Sequence, residues 1–198
     1  MHIDEKTVKK EIRILGIDDS PFDKSKKSKV LVIGTIFRGG TLLDGVISTQ
    51  IIVDGADSTN KLIKMINSTR HRSQLQIIMI DGIAFGGFNI VDIQKLSKET
   101  KLPVITVMRN LPNMEKMKKA LRNVANPERK LELIKKAGTI YSGKTNKGDI
   151  HFQCVNITPE KVREILTLSC TSSNIPEPIR TAHLIASGIV LGESKGRA

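Results

Sequence analysis

Ile77-Ile78-Met79-Ile80 is an unbroken apolar run, bounded by Gln76 on one side and by the Asp81-Gly82 turn on the other. Four consecutive apolar residues leave no polar face, so the run is expected as a central strand buried on both sides. A carboxylate at the end of such a strand is held rigidly, and open α/β sheets bind ligands in the crevice at the carboxyl ends of their strands. Leu15-Gly16-Ile17-Asp18-Asp19 repeats the design, an apolar strand ending in acid. Placed side by side, the two strands would bring Asp18 and Asp81 together around a cation.

The rest of the chain supplies the frame for that pair. Glu11–Ile17, Val30–Arg38 and Thr41–Ile52 read as three antiparallel strands, with Pro21 closing the first and Gly39-Gly40 turning the second into the third. Lys24–Lys29 reads as a polar, cationic tip between the first two strands. From Asn60 the pattern changes to alternating helix and strand: a helix to Ser68, the strand Leu75–Ile80, a helix Phe88–Lys98 and a strand Leu102–Met108. Such alternation implies parallel strands joined by crossovers.

Helices are then expected at Asn113–Asn123 and Glu128–Ala137, both with outward lysines and the second ended by Gly138. A hairpin around 143–148 follows, then a helix from Thr158-Pro159-Glu160 to Ser169 and a last helix over Ile179–Val190. The expectation is a single domain over 1–198, with 190–198 a polar tail. Its fold class is α/β, a mixed sheet of an antiparallel meander and parallel βα units, flanked by helices.

The formal charge of +12, from 32 Lys and Arg against 20 Asp and Glu, favours a polyanionic partner such as nucleic acid or an anionic membrane surface. Scarce aromatics, with no Trp and one Tyr, argue against a stacking platform for single strands. Cys154 and Cys170 form neither a metal-ligand spacing nor a disulfide framework, which fits a reducing cytoplasm. The charged N-terminus lacks an apolar leader and no run approaches membrane-spanning length, so a soluble, cytoplasmic protein without a membrane partner is expected.

Hydrolysis of a phosphodiester with metal ions needs carboxylates that converge from different elements, and hard cations such as Mg²⁺ require only two or three of them. The candidates are Asp18, Asp19, Asp54, Asp57 and Asp81, all at element ends. Each alone is equally a cap or turn residue: Asp57, Ser58 or Thr59 can cap the helix that follows, and Asp81-Gly82 can simply turn. The glycine-rich stretch Ala84–Asn89 is expected to open a helix and leave backbone N–H groups free for an anion. His183, one helical face with Arg180 at i, i+3 spacing, can position water or ligate a metal.

Gly16-Ile17-Asp18-Asp19, Val53-Asp54-Gly55-Ala56-Asp57, Asp81-Gly82-Ile83, Gly87-Phe88-Asn89 and Pro176-Glu177-Pro178-Ile179-Arg180-Thr181-Ala182-His183 resemble, in this order, the signatures of the archaeal endonuclease dU family, relatives of endonuclease V. The resemblance covers nearly the whole chain. It implies a ribonuclease-H-like fold and Mg²⁺-dependent (or Mn²⁺-dependent) cleavage of a nucleic-acid strand, DNA foremost, near a deaminated base, with uracil favoured. It assigns Asp18, Asp57 and Asp81 as metal ligands and His183 as a catalytic group, with Asp19 or Asp54 as alternative ligand or as orienter of water. Arg109 and Arg180 would meet phosphate, and Phe85, Gly86 and Gly87 would border a base pocket. The chain departs from endonuclease V in lacking its aromatic strand-separating wedge and its His-Pro-Arg loop, which removes the basis for an inosine preference. A non-catalytic nucleic-acid-binding protein on the same fold, and a phosphohydrolase of small nucleotides, are the other two readings; the oligomeric state is not legible.

Overall fold

The computed structural model describes residues 8–23 and 28–195; the stretch 24–27, within the expected cationic tip, and residues 1–7 and 196–198 lie outside the described residues. The chain opens with an antiparallel meander of β1 (Arg13–Asp19), β2 (Lys29–Arg38) and β3 (Leu42–Ile52). Helix α1 (Ser58–Ser68) crosses to β4 (Ile77–Asp81), a small hairpin of β5 (Ala84–Phe85) and β6 (Asn89–Ile90) follows, and α2 (Ile93–Thr100) leads into β7 (Val104–Met108). The C-terminal half adds α3 (Met114–Leu121), α4 (Pro127–Lys136), the hairpin β8 (Tyr141–Thr145) and β9 (Gly148–Val155), then α5 (Pro159–Ser169) and α6 (Glu177–Leu191). Seven strands make one mixed sheet in the order β3-β2-β1-β4-β7-β9-β8, with β1, β4 and β7 parallel.

Period-two alternation divides the central strands between two cores. Leu15, Ile17, Ile78 and Ile80 pack on one face with Leu62 and Ile66 of α1 and Leu96 of α2. Ile14, Ile77 and Met79 pack on the other with Val162 and Ile165 of α5 and Ile179 of α6. An apolar run with no polar face is thus what a strand covered on both sides requires. On the α6 side Gly16 lets the helix start sit directly on β1: a Cβ there would meet Pro178 C at 2.3 Å and Ile179 N at 2.5 Å. Thr35 Oγ1 donates to Pro178 O at 2.6 Å and fastens the same turn from β2.

Three local expectations are corrected. The helix expected from Phe88 begins at Ile93, because Gly86 and Gly87 take φ of +49° and +88° and turn the β5–β6 hairpin, and Asp92 is the residue that caps α2 through Lys95 N at 3.0 Å. The expected anion-binding helix N-terminus at Ala84–Asn89 is therefore a hairpin turn. The C-terminal hairpin closes tightly at Asn146-Lys147, so 143–145 and 148 belong to its strands. Lys130 on α4 faces inward, not outward: it is 5 % exposed and its Nζ donates to the carbonyls of Asp54, Gly55 and Phe88.

The start of α6 carries a pH-sensitive contact. Glu177 Oε1 accepts from Ser172 N at 2.9 Å and Oε2 from Arg180 Nε at 2.8 Å. Burial pushes this carboxyl up, but the Arg180 and Ser172 bonds outweigh it and hold it below the usual value. A depressed folded pKa adds stability that is complete above the unfolded value and lost as pH falls through the folded one. The melting temperature should accordingly fall between about pH 5 and pH 3, and fall less in a Glu177→Gln variant, as scanning calorimetry would register.

Candidate active site

The register of β1 against β4 sets Ile17 opposite Ile80, so the next residues on the two parallel strands are Asp18 and Asp81. Both follow the alternation of Ile14 and Met79 and so belong to the α6 side of the sheet, where His183 comes down from the helix. His183 Nδ1 lies 2.9 Å from Asp18 Oδ2. Asp19 belongs to the opposite side, and its Oδ2 accepts from Gly86 N at 2.9 Å. Asp18, Asp19, Asp81, Arg109, Asn110 and His183 all line one open cavity of about 600 Å³ at the carboxyl ends of β1, β4 and β7.

The electrostatics are those of crowded acid. Burial, then the neighbouring Asp18, push Asp19 up to about 7, against the Gly86 N–H that favours its ionised form. Asp81 is likewise raised by burial and by Asp18, with Arg109 opposing. The hydrogen bond to Asp18 raises His183, and burial only partly offsets it. Its other ring nitrogen, Nε2, is buried away from the cavity, and the Lys195 backbone also favours the charged ring. Two carboxyls raised by burial and by the nearby Asp18 make an oxygen-rich set of the kind that suits a hard divalent cation.

Among the described residues no three Asp, Glu, Cys or His side chains are grouped closely enough to hold a metal ion between them. Asp18 Oδ1 accepts from Asp19 N, its Oδ2 meets His183 Nδ1, and Asp19 Oδ2 accepts from Gly86 N. A cation that keeps several waters, as Mg²⁺ does, requires only one or two of these oxygens.

The structure brings Asp19 to the Asp18–Asp81 pair, and neither Asp57 nor Asp54. Asp57 holds the N-cap position of α1 without capping it; its Oδ1 accepts from Ile52 N at 3.1 Å and Asn89 Nδ2 at 2.7 Å. The Ser58 N–H instead donates to Asn89 Oδ1. Asp54 Oδ1 accepts from Phe88 N at 2.7 Å. These aspartates tie the loop after β3 to the hairpin through Ile52, Phe88 and Asn89. Phe85 is fully buried in the core, Gly86 is tied to Asp19, and a Cβ on Gly87 would meet Asp54. Arg109 lines the cavity, whereas Arg180 is paired with Glu177.

Asn89 and Lys130 carry no catalytic signal in the sequence, yet they knit the 54–57 loop to the hairpin whose Gly86 N–H holds Asp19. Asn89 read as part of a helix, and Lys130 as one lysine of a solvated face.

Comparison with known proteins places the chain in a family and a fold. A family model described as endonuclease dU matches residues 10–190. The chain belongs to the endonuclease dU family. A UPF0215 protein of Methanothermobacter thermautotrophicus is 48% identical over 192 residues, covering 96% of this chain and 94% of the relative. A solved protein of unknown function from Archaeoglobus fulgidus superposes with a TM-score of 0.81 at 40% identity, over 90% of this chain and 98% of that one. Endonuclease V of Ciona intestinalis, solved with a 24mer DNA containing an inosine followed by a ribo-adenosine, gives a TM-score of 0.65 at 14% identity, over 96% of this chain and 91% of that one. At that identity the likeness is one of fold, and it makes the mixed sheet of this family member ribonuclease-H-like. No helix among the described residues is long and apolar enough to cross a membrane.

Proposed function

We propose that this family member is a divalent-cation-dependent endonuclease that cuts a DNA strand near a deaminated base, with uracil the favoured lesion. The observation that carries the reading is the convergence of Asp18, Asp81 and Asp19 with His183 and Arg109 in one open cavity at the carboxyl ends of parallel strands. The family description, the DNA-bound endonuclease V of the same fold, and the charge of +12 support a nucleic-acid substrate.

Asp18, Asp81 and Asp19 would hold Mg²⁺ or Mn²⁺. Such a cation supplies Lewis acidity toward a phosphoryl oxygen and eases ionisation of the attacking water. The protein's own groups do the rest. Asp18 fixes the imidazole of His183 through Nδ1, which holds its charge at the wall of the cavity beside the attacking water. Arg109, in the same cavity, offsets the charge that develops on the phosphate as the P–O bond breaks. The basic face of α3, with Lys116, Lys118 and Lys119, draws in the backbone.

The test is nicking of labelled strands that contain uracil, inosine or no lesion, with and without Mg²⁺. Lesion-dependent cuts that require the cation support the reading; binding to every strand with no cut in Mg²⁺ or Mn²⁺ selects a binding protein instead, and hydrolysis of free nucleotides alone selects a phosphohydrolase. An independent readout is thermal: Mg²⁺ should raise the melting temperature of the wild type by a few degrees and leave Asp81→Asn unmoved, since a ligand stabilises only the state that binds it.

A further inference from the structure

The sheet ends in two strands of different character. β8 is short and carries Lys144 at an exposed position, the usual protection of an edge. β3 is eleven residues long, and from Gly45 to Ile52 it has no charge and no proline. No described strand pairs with its outer side, and Val46 and Ile52 are 48 % and 49 % exposed. A long, neutral, apolar edge of this kind is a template for another strand.

The backbone fixes which groups are free. Val53 N–H donates inward to Ser28 O, whereas Ile52 N–H turns outward to Asp57. Alternation along an antiparallel strand therefore turns the backbone N–H and C=O of Ser48 and Gln50 outward as well. The Asp57 and Asn89 side chains occupy the outward groups of Ile52 and end the open stretch.

We propose that the protein pairs with a second copy of itself through β3, antiparallel, about a two-fold axis at Thr49. The sequence of the strand is self-complementary about that residue. Ser48 of each copy then faces Gln50 of the other, and the two exchange both outward backbone hydrogen bonds. Val46 and Ile52 lie equally far from Thr49 on the same face, so the exposed valine side chain of each copy flanks the exposed isoleucine of the other just beyond the stretch whose backbone groups are free. With +12 on each chain, a strip without charge is where two copies approach at least cost. A continuous sheet across the axis has a functional consequence on the reading given above. Asp19 pairs with Val32 and Val32 with Thr49, so each acid cluster is level with the axis. The two clusters lie five strand spacings apart, about 24 Å, on the same face of the joined sheet, and offer one nucleic acid two cation sites.

The pairing is tested by mass in solution, independently of nuclease activity. Sedimentation equilibrium of the full chain at about 100 µM should give a dimer, the range in which small interfaces assemble. Val46→Lys, at an exposed position, should weaken it at least about tenfold and leave the melting curve of the monomer intact. Thr49 is a non-hydrogen-bonded pair with itself, with Cα atoms about 4.5 Å apart, so Thr49→Cys should cross-link to a covalent dimer under mild oxidant. Ser48→Cys, opposite Gln50, should not. A monomer at this concentration, a dimer indifferent to Val46→Lys, or cross-linking through Ser48→Cys in place of Thr49→Cys would each overturn the proposal. So would preferential binding of an acidic peptide along the groove of about 470 Å³ that Lys29 and Lys61 line at the Ile52 end.

Discussion

Replacing Asp81 by Asn is expected, on the function proposed above, to lower strand cleavage by at least about a thousandfold, because the cavity would lose a carboxylate that would help hold the divalent cation. The shape of the side chain is kept, so the fold should survive. The direction of the Asp81 pKa adds a control. Its carboxyl is raised by burial and by Asp18, which means that the ionised form opposes folding at neutral pH. The neutral amide relieves that repulsion, and the metal-free variant should melt no lower than the wild type at pH 8. Single-turnover nicking and a melting curve on the same sample check both halves. A variant that melts normally and still cuts at the wild-type rate would remove Asp81 from the mechanism.

Gly16→Ala should be the most damaging of the small substitutions. The added methyl would lie 2.3 Å from Pro178 C and 2.4 Å from Pro178 Cβ, so the helix start and not a flexible side chain must move. Overpacking against backbone costs about 3 kcal/mol or more, which in a domain of this size is a loss of roughly 10 °C in melting temperature. The same movement lifts α6 from β1 and separates His183 Nδ1 from Asp18, now 2.9 Å apart. Cleavage should therefore fall even well below the melting point, whereas Thr35→Val, which removes one hydrogen bond to Pro178 O without adding bulk, should cost only about 1 kcal/mol and leave cleavage largely intact. Differential scanning calorimetry with nicking assays at 25 °C separates the two effects.

The architecture was legible where apolar pattern and local geometry coincide. The buried run at 77–80 needs covering on both faces, and it has it. The meander and the βα alternation follow from turn residues and periodicity, which act over a few neighbours. The helix expected from Phe88 failed for the opposite reason: Gly86-Gly87 form a hairpin stabilised by Asp54, Asp19 and Lys130, all distant in sequence. Helical spacing of Ile90, Val91 and Ile93 cannot compete with backbone groups satisfied from elsewhere.

The site divides along the same line. Asp18 and Asp81 were recognisable from sequence because each ends an apolar strand, and two parallel strands side by side bring their carboxyl ends together. The sequence by itself determined those two strands, their terminal acids and the kind of sheet that holds them. Tertiary structure alone decided which further acid lines the cavity with the pair: Asp19 does, held by the Gly86 N–H, while the turn after β3 commits Asp54 and Asp57 to the loop. It also decided that Lys130 is buried and that Arg180 is spent on Glu177. Those outcomes depend on contacts between residues tens of positions apart, whose hydrogen-bond partners no local pattern of side chains specifies.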